Sequence, residues 1–141
     1  MADVLFICTG NYYRSRFAEI YFNHLADTNG LSLRAFSKGL EAHMHRNVGA
    51  ISPYALEYLE LLGIDPGNHR MPQTLDEAHL EQARLSIAMD RTEHEPMVRK
   101  YQPTWIAQVE FWEFPDIQFE SPDKILPAIR ERVDALADKL G

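Results

Sequence analysis

Hydrophobic and polar positions alternate between two regimes along this chain. Val4-Leu5-Phe6-Ile7 is a continuous apolar run of strand length, the pattern of a strand buried on both faces. From Ser15 to about Asp27 the period lengthens: Ala18, Phe22 and Leu25 recur at helical spacing, with Gly30 as a stop. Residues 31–37 alternate apolar and polar and predict a second strand near a sheet edge. Ser52-Pro53 offers an N-cap followed by proline at the first helical position, Ala55, Leu59 and Leu62 form one face, and Gly63 ends the helix. Thr74 with Glu77 reads as a capping box for a short helix to about Ala83, and Leu85 to Met89 as a third strand. Thr92 with Glu95 reads as a second capping box, opening a helix bounded by Pro103. A fourth strand lies within Ile106 to Phe114. Ser121-Pro122 then opens a long helix with a stripe of Ile125, Ile129, Val133, Leu136 and Leu140.

Strands alternating with helices predict a three-layer α/β/α sandwich with a four-stranded parallel sheet and right-handed crossovers. In such sheets ligands sit beyond the carboxyl ends of the strands, near a topological switch point. Attention therefore falls on the residues just after Ile7, Ser37, Met89 and Phe114.

Length and composition narrow the class. The 141 residues, 45% hydrophobic and 25% charged, suit one domain spanning 1–141 with one substantial core. The longest apolar run, Val4 to Cys8, is far short of the ~20 residues of a membrane span. Asp3 stands where a basic leader would be, so no secretory leader is expected. One cysteine cannot build a disulfide framework and points to a reducing, cytoplasmic setting. The formal charge is 14 − 21 = −7, with the acidic excess in the second half, which argues against broad nucleic-acid binding. The expected state is a monomer, with a weak dimer as the alternative.

The candidate chemistry lies in Cys8-Thr9-Gly10-Asn11-Tyr12-Tyr13-Arg14-Ser15, between the first strand and the first helix. Gly10 frees the backbone for a tight turn, and successive inward N–H groups of Thr9 to Ser15 make an anion-binding nest. The helix opening near Ser15 adds unpaired N–H groups and the positive dipole end. Arg14 adds a planar fork suited to two phosphate oxygens. Cys8 at the bottom of such a socket is favoured as the nucleophilic thiolate. Ser15 can donate to the sulfur, and Asn11 can brace the turn. The competing reading is a small buried hydrophobe at Cys8.

Val4 to Ser15 resembles the phosphate-binding loop of the low-molecular-weight protein tyrosine phosphatases. The likeness continues through Ser37-Lys38-Gly39, Asn47-Val48-Gly49, Leu62-Gly63-Ile64, Met89-Asp90 and Pro115-Asp116. The resemblance implies a four-stranded parallel sheet and metal-free hydrolysis of phosphomonoesters through a cysteinyl-phosphate. The substrate would be a phosphorylated protein or small aryl phosphate, phosphotyrosine first, with no cofactor, nucleic acid or membrane involved. It implies that Cys8 is the nucleophile and Arg14 the phosphate clamp. It further implies that Asp116, next to Pro115, is the general acid and then base; Glu113, Glu120 and Asp123 are competitors for that role.

Departures are visible as well. Tyr13 stands where many relatives have a second cysteine, Ile117 and Arg16 where the family usually has proline, and Gln118-Phe119 where many have two tyrosines. Arg46, with His43 and His45 close by, occupies a place that is often aromatic. Tyr12 and Phe119 are candidate walls of the approach. Arg16 is expected to point to solvent from the first helical turn, or else to grip a more anionic substrate. His43-Met44-His45 lacks a third metal ligand. His24, His69, His79 and His94 read as surface or capping residues, and Tyr54, Tyr58, Trp105, Phe111 and Trp112 as packing. The rival functions are arsenate reduction with an external thiol carrier, since no further cysteine exists to relay oxidation, and a non-catalytic phosphate or phosphopeptide binder.

Overall fold

The computed structural model describes residues 3–44, 47–67 and 70–141. His45, Arg46 and His69 lie outside them. Four strands, β1 (Val4–Cys8), β2 (Ala35–Gly39), β3 (Leu85–Ala88) and β4 (Val109–Phe111), form one parallel sheet in the order β2-β1-β3-β4. The helices are α1 (Arg14–Thr28), α2 (Pro53–Leu61), α3 (Glu77–Gln82), α4 (Arg91–Tyr101) and α5 (Pro122–Leu140). From β1 the chain moves first to β2 on one side and later to β3 on the other, so the switch point lies at the carboxyl end of β1.

Alternation along β1 builds both cores. Val4, Phe6 and Cys8 face α1, α2 and α5, packing with Phe17, Phe22, Leu59, Ile129 and Val133. Leu5 and Ile7 face the other layer, packing with Leu80, Val98 and Val109. A strand with two buried faces has to read as an unbroken apolar run, and β1 does. The three-layer expectation holds.

Several boundaries differ from the sequence reading. The second strand begins at Ala35, not residue 31, because its register pairs Ala35 with Val4, the first residue of β1. Leu31 is instead tied back to α1 through its N–H to the Ala26 carbonyl. The cap of α3 is Asp76 with His79, not Thr74 with Glu77, which gives His79 the capping role expected of it. The cap of α4 is Asp90, whose carboxylate accepts from the Glu93 N–H, not Thr92. Pro103–Gln108 forms a 3-10 stretch that the sequence reading missed. Trp112 is fully buried, whereas Tyr54 is exposed instead of packed, and Leu140 at the end of α5 is exposed rather than part of the buried stripe.

Gly39, at the end of β2, is where the sheet meets the loop after β1. A Cβ there would lie 2.6 Å from the Thr9 carbonyl oxygen and 2.8 Å from the Asn11 backbone nitrogen. Gly39→Ala is therefore expected to displace the loop and leave the sheet intact. The phosphate affinity that the sequence leads one to expect of this loop should fall about tenfold or more, with far-UV circular dichroism unchanged. Affinity within twofold of wild type would show that the loop does not need this close approach.

Candidate active site

The loop between β1 and α1 is shaped by where its carbonyls go. Those of Cys8, Thr9 and Tyr12 turn outward to accept from the N–H groups of Leu40, Glu41 and Ser52. In a trans peptide the next N–H points the opposite way, so Thr9, Gly10 and Tyr13 direct theirs to the concave side. Tyr13 at the N-cap position of α1 offers no side-chain cap to the helix. Its first N–H groups and its positive dipole end therefore stay available.

Asn11 holds this turn open. It is fully buried and adopts φ 52°, a left-handed conformation that Asn tolerates better than most residues. Its amide nitrogen donates to Ser15 Oγ at 3.1 Å and Ser37 Oγ at 2.8 Å. Its oxygen accepts from Arg70 Nη1 at 3.0 Å and the Gln73 N–H at 3.1 Å. All four hydrogen-bonding positions are thus used, which fixes the orientation of the amide. Cys8 Sγ lies 2.9 Å from Ser15 Oγ. Because Asn11 already donates to that oxygen, the Ser15 hydroxyl proton is free for the sulfur. Asn11 and Ser15 work from behind the loop.

The concave side is a slot of about 70 Å³ lined by Cys8, Thr9, Gly10, Tyr12, Tyr13, Arg14, Asn47 and Asp116. Larger concavities, up to about 800 Å³, lie elsewhere but hold no thiol. Of the expected site residues, the structure brings Cys8, Arg14 and Asp116 to this one slot, although Asp116 is 108 positions from Cys8 in sequence. The Asp116 carboxylate is 3.9 Å from Arg14 Nη2, and its other oxygen accepts the Ile117 N–H at 2.8 Å. Phe114 fastens the same segment by accepting from Arg14 Nη1 at 2.9 Å. Of the competing carboxylates, Glu113, Glu120 and Asp123 do not line the slot. Tyr12 lines it, with its hydroxyl bonded to the Val48 carbonyl. Phe119 is 73% exposed and lies outside it.

Arg16 overturns the expectation made for it. It is buried, not solvated, and its Nη1 reaches the Ala50 carbonyl at 3.3 Å and the Arg70 carbonyl at 2.8 Å. It does not line the slot either. The guanidinium ties α1 to two loops that would otherwise bury unpaired carbonyls. Burial and neighbouring Arg70 push its pKa down to about 10. Tyr13 is also buried, which pushes its hydroxyl up to about 12.

Glu93 was missed. Both Glu93 oxygens accept from Arg14, Oε1 from Nη1 at 3.0 Å and Oε2 from Nη2 at 2.9 Å. The Thr9 hydroxyl donates to the same carboxylate. The neighbouring His94 is fully buried and approaches it at 3.2 Å. Burial pushes the Glu93 carboxyl up, but hydrogen bonds from His94 and Arg14 prevail and hold it well below the usual carboxylate range. Burial pulls Arg14 down, but the Glu93 hydrogen bond and the surrounding charges of Cys8, Glu93 and Asp116 together hold it above its ordinary value. Burial keeps His94 below its ordinary value. Reading Asp90, directly after β3, as the cap would have put Glu93 in the first turn of α4, facing the loop.

Among the described residues no group of three or more His, Cys, Asp or Glu is placed to hold a metal ion, and no helix is long and apolar enough to cross a membrane. A family model described as low molecular weight phosphotyrosine protein phosphatase matches residues 3–139. A protein-arginine-phosphatase of Bacillus subtilis is 36% identical over 87 residues, 62% of this chain and 55% of that protein. Arsenate reductase 2 of Staphylococcus epidermidis is 33% identical over 86 residues, 61% of this chain and 58% of that protein. This chain thus aligns with little more than half the length of these curated relatives. The crystal structure of a low molecular weight protein tyrosine phosphatase from T. tengcongensis superposes with a TM-score of 0.76 at 29% identity, covering 99% of this chain and 97% of that one.

Proposed function

Because this chain belongs to the low molecular weight phosphotyrosine protein phosphatase family, we propose that it hydrolyses phosphomonoesters through a phosphorylated Cys8. The observation that carries this reading is the convergence of the Cys8 thiol, the Arg14 guanidinium and the Asp116 carboxyl on one slot. A phosphate-only binder needs no thiol beneath its nest and no carboxyl at its rim.

The phosphoryl group enters the nest of loop N–H groups, and Arg14 grips two of its oxygens. Cys8 thiolate attacks phosphorus in line, forming the S–P bond as the bond to the ester oxygen breaks. Protonated Asp116 gives its proton to that departing oxygen. In the second half Asp116 carboxylate takes a proton from water, and the water oxygen attacks phosphorus. The S–P bond breaks, phosphate leaves, and the Ser15 hydroxyl hydrogen-bonds the returning thiolate. The donors of the loop, already in place, stabilise the charge on the equatorial oxygens throughout. A reducing, cytoplasmic setting suits a sole thiol that has no in-chain partner to protect it.

Phosphotyrosine is the substrate class we favour, because the narrow slot admits the phosphoryl group alone and Tyr12 offers an aromatic flank. Purified protein assayed on phosphotyrosine peptide, phosphoarginine peptide, and arsenate with glutaredoxin or another external thiol tests this. The expected outcome is highest kcat/KM on phosphotyrosine and no arsenate-dependent thiol oxidation. Preference for phosphoarginine would keep the phosphorylated Cys8 intermediate, formed by breaking a P–N instead of a P–O bond, and overturn the phosphomonoester substrate class. Turnover of arsenate alone would overturn both.

A further inference from the structure

Resting on the phosphatase reading, we propose that Glu93 is a positioning residue that chooses which edge of Arg14 faces the phosphate and clamps Thr9 at the loop's start. The choice follows from counting protons on the guanidinium. Arg14 has five N–H donors: one on Nε and two on each Nη. Both Nη1 protons are taken, by Glu93 Oε1 and the Phe114 carbonyl, and one Nη2 proton goes to Glu93 Oε2. What remains is the Nε–H and the second Nη2–H, two parallel donors along a single edge. Nε is buried and has no hydrogen-bond partner among the described residues. A buried unpaired donor is costly, and here it belongs to a side chain lining the slot. An oxyanion in the slot would satisfy it.

The frame around Glu93 is itself determined. The Asp90 N–H donates to His94 Nδ1 at 3.0 Å. In the neutral ring, which burial favours, the proton is therefore on Nε2. That nitrogen lies 3.2 Å from Glu93 Oε2 and 3.1 Å from Thr9 Oγ1. The carboxylate thus gathers donors from Arg14, Thr9 and His94, joining both ends of the loop to the start of α4. Its negative charge also offsets that of Arg14 while the slot is empty.

This arrangement gives a signature that mere structural support would not. Glu93→Gln keeps the shape but loses the second acceptor and the charge, so Arg14 becomes freer and less neutralised. The expected result on an aryl phosphate is a kcat about tenfold or more lower, with the inhibition constant for inorganic phosphate unchanged or smaller. Equal kcat in wild type and Glu93→Gln overturns the proposal. So does a loss in kcat accompanied by a matching rise in the phosphate inhibition constant, which is what loosening of the whole loop would give.

A second pair of variants covers the case in which Glu93→Gln folds poorly. Arg14→Ala strands a buried carboxylate, and Glu93→Ala added to it is expected to raise thermal stability and to lower residual kcat by a clearly smaller factor than it does with Arg14 present, since only the Thr9 clamp is then lost. If Glu93→Ala lowers kcat by the same factor with and without Arg14, Glu93 acts independently and the proposal fails. An inactive wild type would overturn the phosphatase reading and this proposal together. An active wild type matched by Glu93→Gln overturns only this one.

Discussion

Cys8→Ser is expected to lower kcat on an aryl phosphate by on the order of 10⁴-fold or more, while phosphate still binds. The reasoning separates two jobs of one site. Binding is the task of the loop N–H groups and Arg14, all of which survive the change. Bond formation is the task of the sulfur. A serine hydroxyl at that position keeps its proton and sits on a shorter bond from Cβ, so it is both a weaker nucleophile and further from phosphorus. Its oxygen can still accept from Ser15, so the chain of hydrogen bonds from Asn11 persists. The measurement is kcat with the inhibition constant for inorganic phosphate on the same preparation. A loss of turnover below tenfold would show that the thiol is not the nucleophile. An equal loss in phosphate binding would show that the substitution has disturbed the loop instead.

Asp116→Asn is the second large effect, on the order of 10²–10³-fold for a substrate whose leaving group needs a proton. Asparagine keeps the shape and the hydrogen bond from the Ile117 N–H but can neither give a proton nor take one. The loss should grow as the leaving group becomes more basic: small for a nitrophenol, larger for a phenol, largest for an alkyl alcohol. Glu113→Gln, Glu120→Gln and Asp123→Asn should each leave kcat within about threefold, because none of these carboxylates lines the slot. A flat dependence on the leaving group in Asp116→Asn would remove Asp116 from proton transfer. A large effect at one of the other three carboxylates would move the role there.

Much of this site was legible in the residues because local rules and the global fold agree at β1 and its loop. A strand buried on both faces must be continuously apolar, and a tight turn into a helix needs residues such as Gly10 and Asn11. An anion socket at that place needs Arg14 in reach. The pairing of Cys8 with Asp116 was legible only through topology: parallel strands bring the carboxyl ends of β1 and β4 to one edge, however far apart they are in sequence. The family resemblance supplied the choice of Asp116 over its neighbours, which spacing alone left open.

Other features depended on tertiary partners that no window of sequence contains. Arg16 in the first turn of a helix has the look of a solvated residue. It is buried because the carbonyls of Ala50 and Arg70 arrive from loops 34 and 54 positions away and need donors. Glu93 was passed over because the pattern points to Thr92 instead of Asp90 as the cap, and a two-residue shift turns a helix by about 200°, which aims a different face at the loop. The start of β2 at Ala35 was set by register with β1, which a pattern of alternation cannot supply.

The most direct test of the central claim is to look for the bond it requires. Asp116→Asn protein mixed with an aryl phosphate that has a good leaving group, quenched rapidly in acid and digested, should yield the Cys8 peptide carrying one phosphoryl group, because Asp116 is missing from the step that hydrolyses the intermediate. Cys8→Ser should yield none under the same conditions. Turnover by the wild type with no phosphoryl group on Cys8 at any quench time, or a phosphoryl group found on another residue, would contradict the account.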